Sequence, residues 1–95
     1  MASIKEATES ALAFARAALG LERTAGARLE EVESTKVNGE DAWLITLSMI
    51  RPDDLAGSSS LADMLGKGKR DYKSFTVLKN SGEVTSMKIR ELADV

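Results

Sequence analysis

The chain has 95 residues, 43% hydrophobic and 29% charged, with 13 basic against 15 acidic side chains and a formal charge of −2. That balance fits one soluble domain with an ordinary core; duplex DNA or an anionic membrane calls for a marked positive excess. Cysteine and histidine are both absent, which removes disulfides, Cys/His zinc sites, thiol nucleophiles and every histidine-based triad.

Residues 3–19 predict a helix. Ile4, Ala7, Ala11, Phe14, Ala15, Ala18 and Leu19 recur at helical spacing and form an alanine-rich stripe that can lie close against a sheet. Ser3 with Glu6 has the form of a capping box, and Gly20 is placed to end the helix with a left-handed residue. Lys5, Glu6, Glu9 and Arg16 interrupt the segment, so it does not read as a signal peptide. No apolar run approaches the roughly 20 residues of a membrane span, and the expected location is the cytoplasm. Leu21 to Ala27 reads as a connector with Gly26 as its bend.

The first strand is expected at about 31–37, ending at Asn38-Gly39, the strongest short hairpin signal. A two-residue turn there pairs Val37 with Glu40, Ser34 with Trp43 and Val32 with Ile45. Leu29 falls on the opposite parity, which implies a bulge near Glu30 or a strand that starts after it. Sparse apolar content and several acids mark this strand as an edge. The second strand, 42–50, presents Trp43, Ile45, Leu47 and Met49 on its apolar face, and Pro52 stops it. Residues 52–70 form an expected long mobile loop in which Leu61, Met64 and Leu65 are candidates for a lid.

The last two strands are expected at about 71–79 and 83–91 around Asn80-Ser81-Gly82, read as a three-residue turn with glycine in the left-handed position. That register sets Lys79 against Glu83, Val77 against Thr85, Phe75 against Met87 and Lys73 against Ile89. Trp43, Val32, Phe75, Val77, Met87 and Ile89 then share the face toward the helix. The expected fold is α+β: one N-terminal helix packed on a four-stranded antiparallel meander sheet, all in one domain.

The strings A-T-E-S-A-L-A-F-A-R, L-E-E-V-E-S-T-K-V-N-G-E-D-A-W-L-I-T-L and Y-K-S-F-T-V-L-K-N-S-G-E-V together resemble a PepSY-like domain. The closing motif of that family corresponds here to Phe75, Val77, Ser81, Gly82, Glu83 and Val84. Leu78 stands where the family often has an aspartate, the 52–70 segment is longer than the usual link, and the final strand runs on past the turn. Cystatin-like folds share the helix-on-sheet layout. The resemblance implies a regulator or inhibitor associated with peptidases.

Constellations that suggest chemistry have bland readings beside them. Glu30, Glu31, Glu33, Glu40 and Asp41 would need to converge in a pocket to hold a metal or do acid–base work, and alternation on an edge strand leaves them in water. Gly66-Lys67-Gly68-Lys69-Arg70 lacks the spacing of a phosphate loop. Ser58, Ser59 and Ser60 have no histidine to act as base. No enzymatic role and no cofactor are expected. The outer sheet face remains as the candidate partner-binding surface: Leu44, Thr46, Ser48, Ile50, Tyr72, Ser74, Thr76, Lys88 and Arg90, with Leu78, Val84 and Ser86 also placed there. Hydroxyls among scattered apolar groups suit a modest wet interface with another protein or a second copy of the chain. The expected function is a non-enzymatic protein-binding or regulatory module. The alternatives are a homodimeric structural protein and a small-ligand carrier with a pocket between helix and sheet near Trp43 and Met49.

Overall fold

The structure, a computed structural model, describes residues 1–50 and 70–90. Helix α1 (Ile4–Leu19) is followed by a short 3-10 helix (Glu22–Thr24) and strands β1 (Arg28–Val37), β2 (Glu40–Ile50), β3 (Arg70–Leu78) and β4 (Val84–Ile89). The strands form one antiparallel sheet in the order β1-β2-β3-β4. The layout is α+β, as the sequence implied. The candidate lid residues Leu61, Met64 and Leu65, and the glycine–lysine run as far as Lys69, lie outside the described residues.

The start of α1 is capped from both directions. The Ser3 side chain accepts from the Glu6 amide at 3.1 Å, and the Glu6 carboxylate accepts from the Ser3 amide at 2.9 Å. These contacts hold the Glu6 carboxyl below its ordinary range. The helix ends at Gly20, whose φ of +89 suits glycine.

Alanine governs how the helix meets the sheet. Ala7, Ala11 and Ala15 are buried and lie over β2 and β3. They pack with Ile45, Leu47, Phe75 and Val77, flanked by Leu12, Val32, Trp43, Val84 and Met87. The predicted stripe is wider than the buried one. Ile4 and Ala18 are exposed, and Phe14, 38% exposed, leans in from the margin to meet the Phe75 ring edge-on at 6.4 Å. A methyl side chain allows close approach, so the narrow row of alanines sits deepest and larger residues are displaced to the flanks.

The first hairpin has the expected register, with Val37 opposite Glu40, Ser34 opposite Trp43 and Val32 opposite Ile45. Asn38 and Gly39 both take positive φ, +50 and +84, as a type I′ turn requires. The pairing shifts between Leu29 and Glu31. That bulge returns Leu29 to the inner face opposite Leu47 and lets the strand begin at Arg28, earlier than expected.

The second hairpin corrects the sequence reading near its turn. Phe75 pairs with Met87 and Lys73 with Ile89 as expected, but Val77 pairs with Val84 and not with Thr85. The Leu78 amide donates to the Glu83 carbonyl and the Gly82 amide to the Leu78 carbonyl, so the loop is Lys79–Gly82 and includes Lys79. Thr85 is the extra residue of a bulge between Thr76 and Val77. The physical reason is the apolar pattern: Val84 and Met87 both pack on the core, and residues three apart share a face only if one residue is bulged between them. Val84 therefore leaves the outer face on which the alternating pattern set it.

Candidate functional site

The outer face is built in rows across the strands, because directly paired residues of neighbouring strands point the same way. One row runs from Arg28 through Ser48 and Tyr72, and the Arg90 amide continues it by donating to the Tyr72 carbonyl at 2.8 Å. The next row is Glu31, Thr46, Ser74 and Lys88; the third is Glu33, Leu44, Thr76 and Ser86. Ile50 pairs with Arg70 at the end of β2. The residues singled out on this face do lie together.

They are less open than a bare hydroxyl surface. Thr46 is 1% exposed and Ser48 is fully buried, while Leu44, Ile50, Tyr72, Ser74, Thr76 and Arg90 are half-buried and Lys88 is exposed. Charged side chains from β1, from β3 and from Arg90 just beyond β4 bond to the central hydroxyls. The Ser48 hydroxyl donates to Glu30 at 2.6 Å and accepts from Arg70 Nε at 2.8 Å. Arg28 Nε also donates to Glu30, at 2.7 Å. Arg70 Nη2 continues to the Ser48 carbonyl at 3.2 Å and to the Gly26 carbonyl. Beside this cluster, Arg90 Nη1 donates to Glu31 and, at 2.9 Å, to the Thr46 hydroxyl, which lies 3.4 Å from Ser74 Oγ. Ser86 completes the surface by donating to Thr76 Oγ1 at 2.9 Å. Among the described residues, no buried side-chain nitrogen or oxygen lacks a partner, as buried polar atoms require.

Charge and burial shift these groups in different directions. The Ser48 hydroxyl and the Arg28 guanidinium hold the Glu30 carboxyl below its ordinary range, because both donate to its ionised form. Glu30 in turn raises Arg28. Arg70 is lowered, first by burial and then by the like charge of Arg28; the attraction of Glu30 opposes both without overcoming them.

The Ser48–Glu30 contact has the outline of a nucleophile and its base. Ser48 is sealed from solvent, however, and a carboxyl that favours its ionised form is a weak proton acceptor. The arrangement suits recognition better. Guanidiniums hold planar N–H groups at fixed positions beside the Tyr72 phenol, and surplus donors on Arg28 match a partner's carboxylates or carbonyls.

The remaining sequence candidates separate. Asp41 pairs with Lys36 at 3.7 Å at the far end of the first hairpin, and Glu30 and Glu31 turn onto the outer face. Among the described residues, no three or more Asp or Glu side chains gather as metal ligands would. Trp43 and Met49 both face the helix side, Met49 fully buried. The Trp43 indole N–H donates to the Ala2 carbonyl at 3.1 Å, and Lys79 Nζ lies 4.0 Å from the Trp43 ring centroid.

Sequence reasoning missed Arg28, Glu30, Glu31 and Arg70 as members of this surface. The bulge near Glu30 was the available signal for Glu30, since a bulge re-aims the side chain it displaces. No helix among the described residues is long and apolar enough to cross a membrane. The chain matches no protein-family model, no curated protein and no solved structure.

Proposed function

We propose that this chain is a non-enzymatic protein-binding module whose partner rests on the outer face of the sheet. The carrying observation is the interlocked surface around buried Ser48 and Thr46, where Arg28, Glu30, Arg70 and Arg90 are held in place by hydrogen bonds within the chain. Side chains fixed before binding lose little conformational freedom when a partner arrives. Half-buried Tyr72 and Ile50 supply apolar contact beside them, and tyrosine and arginine are the residue types that dominate interface energetics. The resemblance to PepSY-like domains supports a regulatory role near a peptidase.

The test is a comparison of immobilised baits. A partner retained by the wild type and by Lys5→Ala, on the exposed helix, is expected to be lost from Tyr72→Ala and Arg28→Ala. Equal retention on all of them removes the outer face as the site.

A further inference from the structure

We infer that the two sheet edges are complementary, so that β4 of one copy pairs antiparallel with β1 of a second copy and extends the sheet head to tail. This contact runs along the sheet edges, touching the outer face only at its margins through Lys88 and Glu33, and does not depend on the outer-face reading.

The argument starts from backbone groups. Antiparallel neighbours alternate between residues that exchange hydrogen bonds with the adjacent strand and residues that turn away from it. The Arg90 amide bonds to Tyr72 of β3, so Lys88 also faces β3, and the N–H and C=O of Met87 and Ile89 point away from it, to an edge that pairs with no other strand among the described residues. On β1, Val37 and Glu40 close the two-residue turn as a bonded pair. Alternation then leaves Lys36, Ser34 and Val32 facing the opposite edge, which likewise pairs with no other strand among the described residues.

Setting Ile89 against Val32 of the second copy brings Met87 opposite its Ser34. Both pairs present outward groups to outward groups. Side chains agree with the same register. Ile89, 76% exposed, and half-buried Val32 both lie on the helix side of the sheet. On the other side Lys88 meets Glu33 of the second copy. Both are exposed, and neither has an ion pair within the chain among the described residues. The bulge at Glu30 falls beyond the paired stretch. Pairing β1 with β1 would set acids against acids, whereas β4 carries no acidic residue. Such a contact is heterologous and does not close on itself as a two-fold dimer does.

The experiment is sedimentation equilibrium at low salt, from about 10 µM to about 1 mM chain. The wild type is expected to grow in average mass without levelling at twice 10.2 kDa. Met87→Pro removes an outward N–H from β4, and Ser34→Pro removes one from β1; neither disturbs the internal ladders. Each variant alone is expected to stay monomeric, while their equimolar mixture forms a one-to-one dimer through the intact edges. A wild type that remains at 10.2 kDa throughout overturns the inference. So does dimerisation of Ser34→Pro alone, which would mean β4 pairing with β4. A charge swap covers the case in which proline disturbs folding: Lys88→Glu is expected to weaken association about tenfold, and adding Glu33→Lys to restore it. Failure of the double variant to recover association also overturns the proposal.

Discussion

The two faces of the sheet are held by different physics. Toward the helix, Ala7, Ala11 and Ala15 close over Ile45, Leu47, Phe75 and Val77. Toward the other side, the buried polar positions on the same β2 strand are Thr46 and Ser48, each bonded to charged side chains from elsewhere in the chain. One face depends on contact area and shape, and the other on the alignment and ionisation of donors and acceptors. A single strand thus serves a mainly apolar inner layer and an outer layer whose bonds depend on ionised side chains.

The largest effect is expected on the inner face. Phe75→Ala removes a fully buried ring and should cost about 3–5 kcal/mol, read as a lower urea midpoint at unchanged slope. A cost near that of a surface change would mean the alanine row is not the core.

Gly26→Ala probes the point where the faces meet. Gly26 has φ +63, and an added Cβ would lie 2.5 Å from Ile50 Cδ1, while its carbonyl receives Arg70. Backbone strain and crowding together should cost about 2 kcal/mol.

Ser48→Ala should cost about 1–2 kcal/mol by leaving Glu30 and Arg70 without their shared hydroxyl. A double-mutant cycle with Glu30→Gln should show coupling, and additive changes would break the picture of a linked outer layer.

The pH dependence sharpens the contrast further. A carboxyl whose pKa is lowered by folding stabilises the fold while it is ionised, and loses that contribution once protonated. The Glu30 contribution is therefore complete near neutrality and fades as the pH falls through and below the ordinary carboxylate range. Glu30→Gln should lower stability at neutral and alkaline pH by that contribution and flatten the acid limb, where the wild type has already lost it. The smallest change is expected from Lys79→Met, about 0.5 kcal/mol for loss of a half-buried cation–π contact, detected as a shift in Trp43 emission.

The inner face was legible in the sequence because it obeys simple periods. Alternation along β2 and helical spacing along α1 identify Trp43, Ile45, Leu47, Ala7, Ala11 and Ala15 without any tertiary information. Asn38-Gly39 identifies the first turn for a similar local reason. The second turn was misjudged because two local preferences compete there. Gly82 satisfies the left-handed position of a three-residue or a four-residue loop, and only the demand that Val84 and Met87 both reach the core selects the latter with its bulge. The outer layer was half legible. Its hydroxyls follow from alternation, but the guanidiniums that engage them come from Arg70 and Arg90, distant along the chain from Ser48 and Thr46. Long side chains crossing a sheet leave no period to read.

The segment before the helix has a practical consequence. The Ala2 amide donates to the Lys79 carbonyl at 2.5 Å, and its carbonyl receives the Trp43 indole. Because the chain contains 1 tryptophan, its ultraviolet-excited emission comes from the one ring against which that segment docks. Undocking of residues 1–3 should expose the indole to water and shift its colour, giving an optical readout of local fraying that needs no dye or label.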